Sequence, residues 1–112
     1  MNNLVVQKYG GTSVANTERF QAVADIVVES INNGVNVAVV VSAMAGETQR
    51  LIDLAKEIQA EPDPREFDAL VSSGEQVSAA LLAIALKERN FLSKSYTAHQ
   101  LGLKTDNVHG KA

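Results

Sequence analysis

The 112 residues include no cysteine and no tryptophan, and only two prolines, two histidines and 4% aromatic residues. Without cysteine there is no disulfide framework, no thiolate nucleophile and no cysteine-based zinc site, which suits a reducing compartment. The two histidines, His99 and His109, are ten apart with no carboxylate spaced to complete a metal site, so no metal site is expected from spacing. Positive charge is also scarce: 10 Lys and Arg stand against 13 Asp and Glu, a formal charge of −3. Such a chain has no basic field to attract nucleic acid or anionic lipid. Long hydrophobic runs are missing, the longest being Ala79 to Leu86. That falls short of the ~18 residues that mark a membrane span, and no basic region followed by an apolar block opens the chain. A cytoplasmic location is therefore expected, with neither nucleic acid nor membrane as partner.

What is present is an ordinary globular composition, 46% hydrophobic and 21% charged, in a chain long enough for one core. Leu4-Val5-Val6 runs into Gln7-Lys8-Tyr9 and is stopped by Gly10-Gly11, a pattern that reads as a buried strand. Phe20, Val23, Ala24, Val27 and Ile31 recur at helical intervals, with Asn16 to cap the start and Asn32-Asn33-Gly34 to end it. Valine-rich Val35 to Val41 reads as a second, central strand covered on both faces by helices. Leu51, Leu54, Ala55 and Ile58 mark a helix capped by Thr48. Both prolines lie in the loop Glu61-Pro62-Asp63-Pro64. Beyond it, a helix over Arg65 to Val71, a deeply buried one over Glu75 to Arg89 and a short strand over Ser93 to Thr97 complete the order. Strands alternating with helices predict a three-layer αβα fold with a mainly parallel sheet.

Ligands of open parallel sheets bind outside the carboxyl ends of the strands. Two loops lie there, Gly10-Gly11-Thr12-Ser13 and Ser42-Ala43-Met44-Ala45-Gly46, and the topology delivers Glu75 to the same edge. Paired glycines let backbone N–H groups approach an anion, with Lys8 one residue away as a point charge. The same residues also read as a tight turn beside a solvated lysine, and neither the Walker nor the dinucleotide glycine spacing is present. Ser72-Ser73-Gly74-Glu75 reads equally as a capping box, which would make Glu75 structural. Ser42 and Thr48 are, by residue type, a strand-end hydroxyl and an N-cap.

Three longer stretches shift this balance. Val5-Val6-Gln7-Lys8-Tyr9-Gly10-Gly11-Thr12-Ser13-Val14 resembles the opening of the aspartate kinases, members of the amino acid kinase superfamily. Val39-Val40-Val41-Ser42-Ala43-Met44-Ala45-Gly46-Glu47-Thr48 resembles their second motif, and Leu70-Val71-Ser72-Ser73-Gly74-Glu75-Gln76 their third. Thr105-Asp106 with His109-Gly110-Lys111-Ala112 is similar to a fourth stretch. Related kinases of acetylglutamate, glutamate, carbamate or uridylate share the lysine and paired glycines but not the rest.

The resemblance implies transfer of the γ-phosphoryl of ATP, with Mg2+, to the side-chain carboxylate of L-aspartate. The product, aspartyl phosphate, leads to lysine, threonine and methionine. Carried over by position, Lys8 would neutralise the transferring phosphoryl, and Gly10 and Gly11, with Tyr9 between strand and loop, would meet the nucleotide phosphates. Ser42 would stand on the phosphate side. Gly46, Glu47, Thr48 and Glu75 would hold aspartate, Glu75 pairing with its ammonium group. The family's catalytic domain is roughly twice this length, a normal size for an enzyme domain. Its second half supplies nucleotide-binding loops, a further basic residue and an organising aspartate, and regulatory domains follow. Residues 1–112 are thus expected to be the N-terminal portion of such a domain, inactive alone, from a parent that assembles as a homo-oligomer. A non-catalytic α/β ligand-binding or assembly module is the alternative, resting on length alone.

Overall fold

A computed structural model describes residues 3–96 of the chain. Strand β1 spans Asn3–Tyr9, followed by a 3₁₀ turn at Gly11–Val14 and helix α1 at Thr17–Asn32. Strand β2 is Val35–Val41, α2 is Glu47–Ile58 and α3 is Pro64–Glu88. The two strands pair in parallel from Asn3 opposite Val35 to Tyr9 opposite Val41. A parallel pair cannot be closed by a tight turn, and α1 is the crossover that joins it. Asn16 starts that helix as expected: its side-chain oxygen accepts the backbone N–H of Arg19 at 3.0 Å. The helix ends where Gly34 takes a φ of +92°, a conformation that glycine adopts without strain.

β2 alternates instead of being covered on both sides. Val37, Val39 and Val41 turn to the helices while Asn36, Ala38 and Val40 stay exposed. Val41 joins Val14, Phe20, Val23, Ala24, Val27, Leu82, Ala85 and Leu86 in the core, where each fully buried large side chain contributes about 1.5–3 kcal/mol. β1, expected to be a buried strand, is exposed over Asn3 to Val6, because among the described residues nothing covers the face opposite the helices, where Leu4, Val6 and Val40 remain 67%, 58% and 50% exposed. The α/β class and the parallel sheet stand. Among the described residues, however, the sheet has two strands and its covering helices lie on one side of it.

Residues 64–88 correct the expectation most. Two helices were expected around a capping box at Ser72 to Glu75, but α3 runs through these residues as a single helix of 25 residues. Its N-cap is Asp63, whose side chain accepts from the N–H of Glu66 at 3.0 Å, with Pro64 in the first turn. Ser73 turns its hydroxyl back onto the carbonyl of Leu70 at 2.6 Å, and one glycine costs a helix only ~1 kcal/mol. By length and composition α3 could cross a membrane. It is nevertheless placed as a core helix, with Gly74, Ser78, Leu82, Ala85 and Leu86 forming one buried stripe. Its burial is shallower than expected, since Val77 and Ile84 are 51% and 63% exposed.

Arg89 ties the end of α3 to α1. Its guanidinium donates to the Asp25 carboxylate at 2.9 Å, to the Gln21 side chain at 2.7 Å and to the Ala85 carbonyl at 2.9 Å. The strand expected at Ser93 to Thr97 is not formed over its described part. Ser93 to Tyr96 are irregular, and they face β2 across a cavity of about 410 Å³ lined by Val37, Val39, Leu82 and Leu86. A strand needs a partner for its backbone groups, and among the described residues none lies alongside. Thr97, His99, His109 and the fourth resemblance stretch lie outside the described residues.

The packing of α3 yields a stability prediction. The hydroxyl of Ser78 is completely buried and, among the described residues, has no hydrogen-bond partner, a state that costs about 1–3 kcal/mol. Ser78→Ala should therefore raise stability by about 1 kcal/mol in urea denaturation. Phe20→Ala, which empties a core site, should lower it by about 3–5 kcal/mol.

Candidate functional site

Parallel pairing in register puts the carboxyl ends of both strands at one edge, and the backbone there is continuous. The Ser42 N–H donates to the Tyr9 carbonyl at 3.0 Å, extending the pairing one residue past the ladder. The chain then leaves β1 through Gly10 and Gly11 and leaves β2 through Ser42 to Gly46. Within the first loop the Ser13 N–H closes onto the Gly10 carbonyl at 3.0 Å, forming the 3₁₀ turn.

The glycines differ in what they permit. Gly10 has an extended backbone, φ −80° and ψ 177°, and a side chain there would meet nothing within 4 Å. Among the described residues neither backbone angle nor packing calls for glycine at this position, and the space beside it is open. At Gly11 a Cβ would stand 3.2 Å from the Ala43 carbonyl oxygen and 3.6 Å from Ala45. The two loops are therefore in contact, backbone against backbone. Gly46 has φ +82° and occupies the N-cap of α2 with no side chain capping it.

Thr48 does not cap this helix, as was expected, but lies exposed in its first turn. The cause is that the Glu47 N–H closes onto Met44 at 2.9 Å and the Arg50 N–H onto Gly46 at 3.1 Å, so the helix starts two residues earlier. Glu75 reaches the same neighbourhood through Gly74. A Cβ on Gly74 would stand 2.9 Å from Ala43 Cβ and 3.6 Å from Glu47 Cγ. Glu75 is one residue on and exposed. It lies inside α3, so the reciprocal capping hydrogen bonds that would have explained it are absent.

Alternation along β1 splits the remaining candidates. Lys8 is exposed on the same face as Leu4 and Val6, opposite Val40 of β2. Tyr9 turns to the helix face, where its hydroxyl donates to Gln7 at 2.9 Å and burial pushes its pKa up. Gln7 in turn donates to Ser30 of α1 at 2.9 Å. Tyr9 is thereby tied to the strand–helix contact, on the opposite side of the sheet from Lys8.

A residue the sequence did not single out is Arg50. It grips Glu47 with two hydrogen bonds, 2.6 and 3.1 Å, at the i, i+3 spacing that makes side chains neighbours on a helix. That hydrogen bond, with the guanidinium charge, holds the Glu47 carboxyl below its ordinary range. The i, i+3 spacing was visible in the sequence. Among the described residues no group of three or more His, Asp or Glu side chains could cage a metal ion.

Comparison with known proteins now bears on this geometry. Residues 3–111 match the amino acid kinase family. The chain belongs to that family. It is 54% identical over 109 residues to an aspartate kinase of Stutzerimonas stutzeri and 50% identical over 109 residues to an aspartokinase of Geobacillus stearothermophilus. Both alignments take in 97% of this chain, but 26% and 27% of those relatives. The chain thus spans about a quarter of the length of these kinases. Among solved structures it resembles the aspartate kinase from Synechocystis, with a TM-score of 0.76 and 52% identity, covering 78% of this chain and 15% of that one. It also resembles Escherichia coli aspartokinase III in complex with aspartate and ADP, with a TM-score of 0.65 and 28% identity over 80% of this chain and 30% of that one. The amino acid kinase fold accounts for the parallel strands and for both loops at one edge.

The Glu47–Arg50 pair can be tested by titration. In NMR the Glu47 carboxylate should protonate below the pH of an ordinary glutamate, and Arg50→Ala should return it to that value. Because the folded-state pKa is the lower one, any stability from the pair is present above the ordinary glutamate pKa and is lost as pH falls through the lowered value.

Proposed function

We propose that this chain is the N-terminal portion of the catalytic domain of an aspartate kinase, whose parent enzyme transfers the γ-phosphoryl of ATP to the side-chain carboxylate of L-aspartate. One observation carries the reading. Gly11 of the first loop and Gly74 beside Glu75 both pack against Ala43, so three separate stretches of sequence converge on one sheet edge. Aspartate kinase relatives at 50–54% identity support the substrate, as does the neighbour solved with aspartate and ADP.

In this reading the open side of Gly10 admits the nucleotide phosphates to the backbone, with Ser42 at the adjacent strand end. Lys8 supplies positive charge as the phosphoryl group moves. Its ammonium acts best at a stage when charge spreads over the transferring oxygens, so it serves the transition state more than the ground state. Glu75 pairs with the aspartate ammonium, and Gly46, Glu47 and Thr48 frame the same substrate from the start of α2. Arg50 keeps Glu47 ionised and oriented. Magnesium bound with the nucleotide would supply shielding of the phosphate charge. Phosphoryl transfer of this type asks for positioning and electrostatic complementarity and needs no covalent intermediate on the protein. A cytoplasmic, homo-oligomeric parent enzyme belongs to the same proposal.

The deciding experiment is a coupled assay for aspartyl phosphate. A full-length chain carrying these residues should turn over with ATP and aspartate, whereas residues 1–112 alone should show no turnover. Robust activity of the 112-residue chain, or none in the full-length one, would overturn the proposal.

Two substitutions assign roles in the full-length enzyme. Lys8→Ala should lower kcat by about two orders of magnitude, the range for losing one electrostatic stabiliser, with little change in melting temperature. Glu75→Gln should weaken aspartate usage at least about tenfold, or ~1.4 kcal/mol. Since Glu75 lies exposed on a continuous helix and Gln is a comparable helix former, its melting temperature should hardly move.

A further inference from the structure

The loop from Ser42 to Gly46 is held from two sides, and Ala43 is the residue on which both holds act. Its carbonyl oxygen stands where a Cβ on Gly11 would approach to 3.2 Å, and its own Cβ stands where a Cβ on Gly74 would approach to 2.9 Å. Ala43 is buried at 5% exposure, and Gly74 is buried as well. Gly74 lies in the interior of α3 and is absent from the positions of positive φ, so its backbone does not require glycine. What requires it is space. Two carbon atoms rest at about 3.5–4.0 Å, so a methyl group at position 74 would have to be accommodated by a displacement of roughly 0.6–1.1 Å. The obstructing atom is no flexible side-chain end but a methyl fixed directly to the loop backbone. Glu47 Cγ and Leu51 Cδ1, both at 3.6 Å from that Cβ position, close the space on the α2 side.

We infer that Gly74 is a positioning residue. Its missing side chain sets the distance between α3, which carries Glu75, and the Ser42 to Thr48 segment, which carries the other groups facing the substrate. This rests on the kinase reading above and adds to it a residue that touches no substrate. A shift of about 1 Å in one wall of a site can cost on the order of 100-fold in rate when both walls hold the reactant. An alanine at position 74 would also improve helix propensity, so its effect on activity and its effect on stability should not run together.

The test is a size exchange in the full-length enzyme. Gly74→Ala should reduce kcat/KM for aspartate at least tenfold while the melting temperature stays within a few degrees of wild type. Adding Ala43→Gly removes the very methyl that the new one strikes, and the double variant should recover most of the lost kcat/KM. Ala43→Gly alone should remain active. Wild-type kinetics for Gly74→Ala, or a loss that Ala43→Gly does not relieve, would overturn the positioning role while leaving the kinase function intact. If Gly74→Ala fails to fold, the double variant still decides: a folded, active double variant supports the contact, and one that stays unfolded or inactive refutes it. Absence of aspartate-dependent turnover in the wild-type full-length enzyme would instead refute the kinase reading, and the positioning role with it.

Discussion

The parallel pairing of β1 with β2 is the constraint on which the other features depend. Because the strands run the same way and pair from Asn3 opposite Val35 to Tyr9 opposite Val41, both must end at one edge. The chain can return to begin β2 only by a crossover, and α1 provides it by burying Phe20, Val23, Ala24 and Val27 against the sheet. Two loops distant in sequence are thereby brought into contact without any direct bond between their side chains. The hydrogen bond from Ser42 to the Tyr9 carbonyl carries this registration up to the loops.

α3 is the second organising element, and it acts through small residues. Gly74 and Ser78 let the helix approach the loop after β2 and the core, while Leu82 and Leu86 extend the contact downward. Close approach has a cost in hydrogen bonding, visible in the buried hydroxyl of Ser78, which has no partner among the described residues. In the proposed kinase its benefit is that Glu75 sits on a helix next to Gly74 rather than on a loop. Functional groups on regular elements are held more narrowly than groups on loops. Arg89 fixes the far end of the same helix to Asp25 and Gln21 of α1, so that α3 is anchored at both ends of its packed length.

The open face of the sheet has a different character. Leu4, Val6 and Val40 are apolar and exposed there, with Lys8 in the same alternating row. Lys8 and Tyr9 are adjacent in sequence and separated by the sheet, one in the exposed row and the other bound into the contact with α1. A site built at this edge therefore draws on both faces of the sheet and on the loops above it.

Local pattern was sufficient to place β1, α1 and β2 along the chain, though not to give the strands' burial, because the placing signals are short-range: the Asn16 cap, the three- and four-residue spacing from Phe20 to Ile31, and the valine run ended by Ser42. The motif residues at Lys8, Gly10, Gly11, Gly46 and Glu75 were likewise legible one at a time. Ser72 to Glu75 shows where that legibility stops. The tetrapeptide satisfies every local condition for a helix start, yet Asp63 and Pro64 start the helix earlier, and packing against Ala43, Leu51 and the core carries it through the glycine. The start of α2 was misplaced for a similar reason, since the backbone hydrogen bond from Glu47 to Met44 outweighed the side-chain preference of Thr48. The sequence alone nominated candidate residues for chemistry and placed Lys8, Gly10 and Gly11 at the end of the first strand and in the loop after it, because propensity and periodicity act over a few residues. Only the tertiary structure decided that Gly11 and Gly74 meet at Ala43 and that Lys8 and Tyr9 face opposite ways at the site, because those facts depend on distances between segments that are 30 or more residues apart in the chain and on the one-sided burial of the sheet.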